Sequence, residues 1–312
     1  MADHKKYFVE NNILAHFGIT NTQTLKKLFD CYGATQTQNV QLFFFSDRVI
    51  FYTSSMNDLD FTAHINTTFY KKYLINFYVK QQEEKEEQDV EMPLFKVQIS
   101  FADLKSVMSL SSASVKTGVI SFYLKEKESD KDKRTLRIRA GDTEHCIEAT
   151  KFDTTKKDIS EVDPDFNEKF YTTEELDDWN YGIIKVLSKI LCDTIGKNKV
   201  KGTSNRLSIR IGYSLLIETS DHMGKGLVMT PISGFLSSSS HHKDVKDKTA
   251  YKVTTGNHGH EFLKKATAVG GGTGTCTSTT IVASKKEDHI TIVLPLGPYG
   301  ECVIYFQGKP SS

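Results

Sequence analysis

"TLKKLFDCYG" (Thr24–Gly33) and "EFLKKATAVG" (Glu261–Gly270) lie far apart in the chain, yet they read as two versions of one element. In the first, Leu25, Leu28, Phe29 and Tyr32 fall at i, i+3, i+4 and i+7, which is one face of an α-helix. In the second, Phe262, Leu263 and Ala266 make the same stripe. Each carries Leu-Lys-Lys, with Lys26 and Lys27 in one and Lys264 and Lys265 in the other. The spacing predicts helices over about 22–32 and 259–268, each packed through its apolar face with its lysines turned away.

Working outward, two more helices are predicted, over 102–112 around Leu104, Val107 and Met108, and over 174–195 around Leu176, Trp179, Ile183, Leu187, Ile190 and Leu191. Everything else with a pattern reads as strand: "VQLFFF", "VIFYTSS", "LDFTAHINTTFY", "VISFYLKEK", "TLRIRA", "HCIEATKF", "RLSIRIG", "YSLLIET", "GLVMTPI", "TTIVAS", "HITIVLPL" and "ECVIYFQG". Each helix follows a short strand and precedes several more, so one unit recurs over 7–80, 94–152, 168–232 and 250–308. Such a unit buries one helix against a curved antiparallel sheet, and two units make a domain. The expected fold is therefore α+β: two similar domains, each of two β-α-β-β-β units with helices on one face. The boundaries expected are 1–152 for the first domain, 153–168 for the connector and 169–312 for the second, with polar insertions at 80–93 and 237–248. "HCIEATKF" and "GLVMTPI" are the expected edge strands for pairing between subunits.

The composition, 38% hydrophobic and 25% charged, is that of a globular protein with a real core. No stretch reaches the roughly 18 apolar residues of a membrane helix, so the expectation is an intracellular protein without membrane association. The five scattered cysteines show no C-x-x-C spacing and read as free thiols. Forty basic residues against 39 acidic ones leave a net charge of +1, so any positive surface is local. On the predicted helices the acids lie mostly in the first turns (Asp103, Glu174, Glu175, Asp177, Asp178, Glu261) and the lysines follow, at Lys26, Lys27, Lys105, Lys185, Lys189, Lys264 and Lys265, with Asp30 and Asp193 among them. Helices aligned on one surface would turn these into a lane for phosphates, blind to base sequence. Taken one helix at a time, the same lysines are ordinary solvated surface.

With these elements in place, the chain resembles the sliding DNA clamps of the PCNA type, on "TLKKLF", "FLKKAT", "SDRVIFYTSSMNDLDFTAHI" and the closing hairpin "DHITIVLPLGPYGECVIYFQG". The resemblance implies a processivity factor for DNA replication and repair, a ring-forming homotrimer that encircles double-stranded DNA, placed by a clamp loader, in the nucleus or a viral replication compartment. It implies DNA-facing roles for Lys26, Lys27, Lys105, Lys185, Lys189, Lys264 and Lys265. It also implies a groove under the connector that takes short hydrophobic peptides from DNA polymerase and other partners, using Met56, Ile159, Val162, Val269, Gln307 and Gly308. The near-neutral charge and the insertions depart from the common pattern. They keep open a subunit of a heteromeric checkpoint-type clamp, an open clamp, or a β-rich scaffold that binds no nucleic acid.

No enzyme motif is complete. "HEFLK" (His260–Lys264) has lysine where H-E-x-x-H needs its second histidine, and "GGGTGTCTSTT" (Gly270–Thr280) lacks the lysine of a phosphate loop. No catalytic residue, metal site or cofactor is expected.

Overall fold

The computed structural model describes residues 2–20, 22–35, 37–57, 61–80, 92–114, 118–127, 130, 133–152, 181–197, 205–211, 215–221, 228–232, 251–255, 259–271, 278–284 and 289–307. After a leading helix α1 (Ala2–Glu10), the first unit is β1 (Ile13–Ile19), α2 (Thr22–Ala34), β2 (Asn39–Phe44), β3 (Arg48–Asn57), β4 (Phe61–Tyr70) and β5 (Ile75–Val79). The second is β6 (Phe95–Ser100), α3 (Phe101–Ser114), β7 (Ile120–Glu126), β8 (Lys133–Ala140) and β9 (Thr143–Lys151). The third is β10 (Tyr181–Leu187), α4 (Ser188–Lys197), β11 (Asn205–Ile211), β12 (Leu215–Asp221) and β13 (Val228–Ile232). The fourth is β14 (Tyr251–Thr255), α5 (Gly259–Gly271), β15 (Ser278–Ser284), β16 (His289–Pro295) and β17 (Gly300–Gln307). The repeated order of strand, helix and strands is thus present four times. The expected connector, 153–168, lies outside the described residues.

Two antiparallel sheets result. One has thirteen strands in the order β10-β15-β16-β17-β4-β3-β2-β6-β9-β8-β7-β1-β5, and the other is β13-β12-β11-β14. The large sheet crosses from the second half of the chain to the first through β17 and β4, paired from Gly300↔Phe69 to Gln307↔Thr62. The expected edge at β13 is an end strand. The expected edge at β9 is internal, with a qualification: only Ala149, Thr150 and Lys151 pair with β6, while the whole strand pairs with β8.

The helices cover one face of this sheet. Leu25, Leu28, Phe29 and Tyr32 of α2, Leu104, Val107 and Met108 of α3, Leu191 and Ile195 of α4, and Phe262, Leu263, Ala266 and Val269 of α5 enter a single core with the strands. Phe51 is its aromatic hub, with ring centroids 5.6 Å from Phe69 and 6.0 Å from both Phe17 and Phe122. At the junction of the two halves the Tyr32 hydroxyl lies 2.7 Å from Thr67 Oγ1, which is 3.5 Å from Cys302 Sγ. Burial pushes the Cys302 thiol up to about 12 and drives the Cys31 thiol and Tyr32 phenol well above their usual ranges.

Two elements differ from the expectation. Of the segment read as one helix over 174–195, residues 174–180 lie outside the described residues, Tyr181–Leu187 is strand β10, and the helix begins only at Ser188. Ile183, Ile184 and Val186 are β-branched, and the whole strand from Tyr181 to Leu187 pairs with β15. Helix α1 had no sequence forecast. At nine residues it is below the roughly 12–15 at which an isolated helix holds in water. Of its side chains from Lys6 to Glu10, only Phe8 is buried. Burying one phenylalanine contributes about 1.5–3 kcal/mol, against about 1–2 kcal/mol per residue for ordering the backbone.

Gly300 begins β17 at φ +157, where an added Cβ would stand 1.9 Å from the Thr68 carbonyl oxygen. Beside it, the Tyr70 N–H donates to the Tyr299 carbonyl at 2.8 Å. Gly300→Ala should therefore destabilise the chain by about 3 kcal/mol in urea unfolding. Gly141→Ala, at φ +61 with open space around it, should cost about 1 kcal/mol.

Candidate nucleic-acid interface and outer groove

The amphipathic pattern of each helix puts its lysines away from the core. Lys26, Lys105, Lys189 and Lys264 are exposed, whereas Lys27 and Lys265 are half-buried. Lys265 also sits 3.7 Å from Glu261, one turn earlier, and its charge reaches Cys31 on α2. Helix α3 packs against α2, α2 against α5, and α5 against α4, so the four form one row. Seven lysines (Lys26, Lys27, Lys105, Lys189, Lys197, Lys264, Lys265) against four carboxylates (Asp30, Asp103, Asp193, Glu261) leave the four helices at +3 with His260 neutral, while the whole chain carries +1. Every cation of the row is lysine; the six arginines all lie on strands, in β3, β8 and β11.

Lys185 departs from this arrangement. It is exposed but stands on β10 opposite Thr280, so it does not share a helical face with Lys189. The helical spacing of Ile183 and Leu187 hid a strand whose alternation, Lys185 out and Val186 in, is equally present in the sequence.

The opposite face of the sheet carries a second apolar cluster: Phe43, Phe45, Ile50, Tyr52, Val303 and Tyr305, all buried, with Phe152 and Val293 packed on it. It exists because β2, β3 and β17 bury alternate residues on both faces, with Leu42, Phe44, Phe51 and Ile304 under the helices and Phe43, Tyr52 and Tyr305 on this side. Phe152 meets Phe43 edge-on at 5.6 Å. The Tyr52 hydroxyl and His64 Nδ1 are 2.8 Å apart, and the His64 ring is 5.8 Å from Tyr305. At the margin the Arg48 guanidinium lies 4.2 Å over the Phe45 ring.

The expected groove residues fare unevenly. Val269 is a correction: at 1% exposure it belongs to the core between α5 and the sheet, on the face away from this cluster. Gln307 ends β17 opposite Thr62 and His289. Met56 lies on β3, with its side chain outside the described residues. Ile159, Val162 and Gly308 are outside them altogether. The buried residues of the cluster were not singled out by sequence reading, although consecutive apolar residues in "LFFF" already signal a strand with no wet face. Among the described residues no group of three or more acidic, histidine or cysteine side chains is placed to hold a metal. No described helix is long and apolar enough to cross a membrane.

A twice-duplicated strand–helix–strands chain, its sheet continuous between halves and its helices in one row, defines the subunit fold of a sliding clamp. The chain has the PCNA-like form of that fold. It is similar to a crystal structure of the PCNA2–PCNA3 complex from Sulfolobus tokodaii, with a TM-score of 0.60 at 14% identity over 94% of this chain and 99% of the other. It is similar also to PCNA from Thermococcus kodakaraensis, with a TM-score of 0.59 at 9% identity over 95% and 100% of the two chains. No protein-family model and no curated protein matches at the level of sequence.

Because Val269 is core, Val269→Ala should lower stability by about 1–2 kcal/mol in urea unfolding. It should leave the affinity of any peptide bound at the outer cluster unchanged, as fluorescence anisotropy would register.

Proposed function

We propose that the chain is a sliding-clamp subunit: a non-enzymatic processivity factor that holds duplex DNA against its helix row and tethers DNA polymerase and repair proteins through the outer cluster. The observation that carries this reading is the +3 row of α3, α2, α5 and α4 on a chain that is otherwise near neutral. Lysine suits the task, because a hydrated point charge on a flexible stem follows a passing phosphate without the bidentate grip of arginine. A clamp that slides needs many weak, water-bridged contacts of this kind. The half-buried Phe152, His64 and Val293, resting on the buried Tyr52, Val303 and Tyr305, form the floor on which partner peptides with hydrophobic anchors dock.

Closure into a homotrimer uses the two incomplete edges. The stretch of β9 from Thr143 to Glu148, beyond its three-residue pairing with β6, takes the end strand β13 of the next subunit. One observation favours a second reading, closure with non-identical subunits: β13 has only five residues and includes Pro231, which has no N–H to give.

Sedimentation equilibrium decides between them. A species near three times 35.2 kDa supports the homotrimer, and a monomer that assembles only with a second kind of subunit supports the alternative. For DNA, changing Lys26, Lys105, Lys189 and Lys264 together to Ala should weaken retention on circular duplex DNA and flatten its salt dependence by about three to four units of slope. The melting temperature should hold. Undiminished retention by the quadruple variant refutes the DNA-facing role.

A further inference from the structure

On the outer surface at the far end of the large sheet, three aromatic side chains line up across three strands. Tyr78 on β5 pairs with His16 on β1, and His16 pairs with Tyr123 on β7, so all three project from the same face. The His16 ring stacks on Tyr123 at 4.3 Å and 23°, and its Nδ1–H donates to the Asn76 carbonyl at 2.7 Å. Strand groups therefore hold this ring whether or not α1 is present. The row then runs on to Arg137, the cross-strand neighbour of Tyr123, which gives the socket a polar end.

The Phe8 ring of α1 fills the socket, 5.1 Å from His16 and 4.8 Å from Tyr78. The rest of α1, from Lys6 to Glu10, points outward: Tyr7 is 53% exposed, Val9 is 56% exposed, and Lys6 pairs with Glu10 inside the helix. A rigid, pre-formed receptor is thus occupied by a short helix that has one described anchor.

We propose that α1 is a detachable strap over a second docking site, a socket for one aromatic side chain built from His16, Tyr78 and Tyr123, in which Phe8 stands in for a partner's phenylalanine or tyrosine. The site lies apart from both the helix row and the cluster around Tyr52 and Tyr305, so it is independent of how those are used. The ligand is a protein segment presenting an aromatic residue on a short helix, since that is what the socket already holds. Releasing the strap bares the aromatic row.

The probe is a labelled peptide of residues 2–12 of this chain, titrated by fluorescence anisotropy into the full-length protein and into its Phe8→Ala variant. The variant should bind the peptide at least about tenfold more tightly than the parent, because its own plug is gone. The same peptide carrying Phe8→Ala should not bind either protein. Equal binding to both proteins, or none to a folded variant, overturns the proposal. Hydrogen exchange on the unmodified protein gives a reading that does not depend on the variant folding. The α1 amides should exchange about a hundredfold faster than those of β1 and β7, and equal protection would make α1 an integral element with no socket to vacate.

Discussion

The pairing of β4 with β17 is the constraint on which the rest of the structure rests. Eight consecutive residue pairs, from Gly300↔Phe69 to Gln307↔Thr62, fuse the sheets of the two halves into one. A one-residue slip of β17 along β4 would turn Cys302 and Ile304 out of the core and Val303 and Tyr305 into it. Three features hold the register. Gly300 lies against the Thr68 carbonyl where no side chain fits, the Tyr299 hydroxyl bonds with the Thr20 hydroxyl, and Tyr32 and Thr67 link up with Cys302 beneath the ladder. Burial keeps both junction thiols neutral, so no charge is stranded where the halves meet.

Because the sheet is continuous, α2 and α5 touch across the junction and the four helices stand side by side. The charge pattern has meaning only in this arrangement. Scattered over four separate helices, seven lysines against four acids describe an ordinary surface. Set in a row, they make a positive strip on a neutral molecule, with a field that reaches about 8 Å at physiological salt. The arginines are spent differently: Arg134 lies 4.9 Å over Phe95, Arg48 covers Phe45, and Arg137 is 3.0 Å from Glu144. Rigid cations brace the sheet while flexible ones line the helices.

The fold was legible in the sequence wherever one periodicity held alone. The stripes of α2, α3 and α5 and the alternation of β7 and β8 admit a single reading, and their four-fold recurrence gave the architecture. Legibility failed where two periods coexist, as from Tyr181 to Ile195, where Ile183, Leu187, Ile190 and Leu191 fit a helix and Lys185, Val186 and Leu187 fit a strand. There β-branching and pairing with β15 decided the outcome, and only the first is local. Val269 entered the expected groove through the resemblance alone: its place near the end of α5 does not say which face of the sheet lies beneath it. Helix α1 was unreadable because nothing in "ADHKKYFVE" announces that Phe8 has a socket assembled by residues 16, 78 and 123.

Strands left without a full partner in the two sheets have to be protected, and the chain protects β5, β9 and β13 in different ways. At β5 the ring of Phe8 sits over the outer face, and α1 lies across the neighbouring strand. Along β9, Glu144 and Glu148 project from the outer face and engage Arg137, Lys127 and Lys133, so the strand beside the gap is charged. At β13 the strand is short and interrupted by Pro231. Charge and proline both discourage indiscriminate strand addition while leaving room for one matched partner. An edge protected only against aggregation needs no particular length. The six residues of β9 left beyond its contact with β6 and the five of β13 are matched to within one, and that correspondence is what the proposed pairing between subunits draws on.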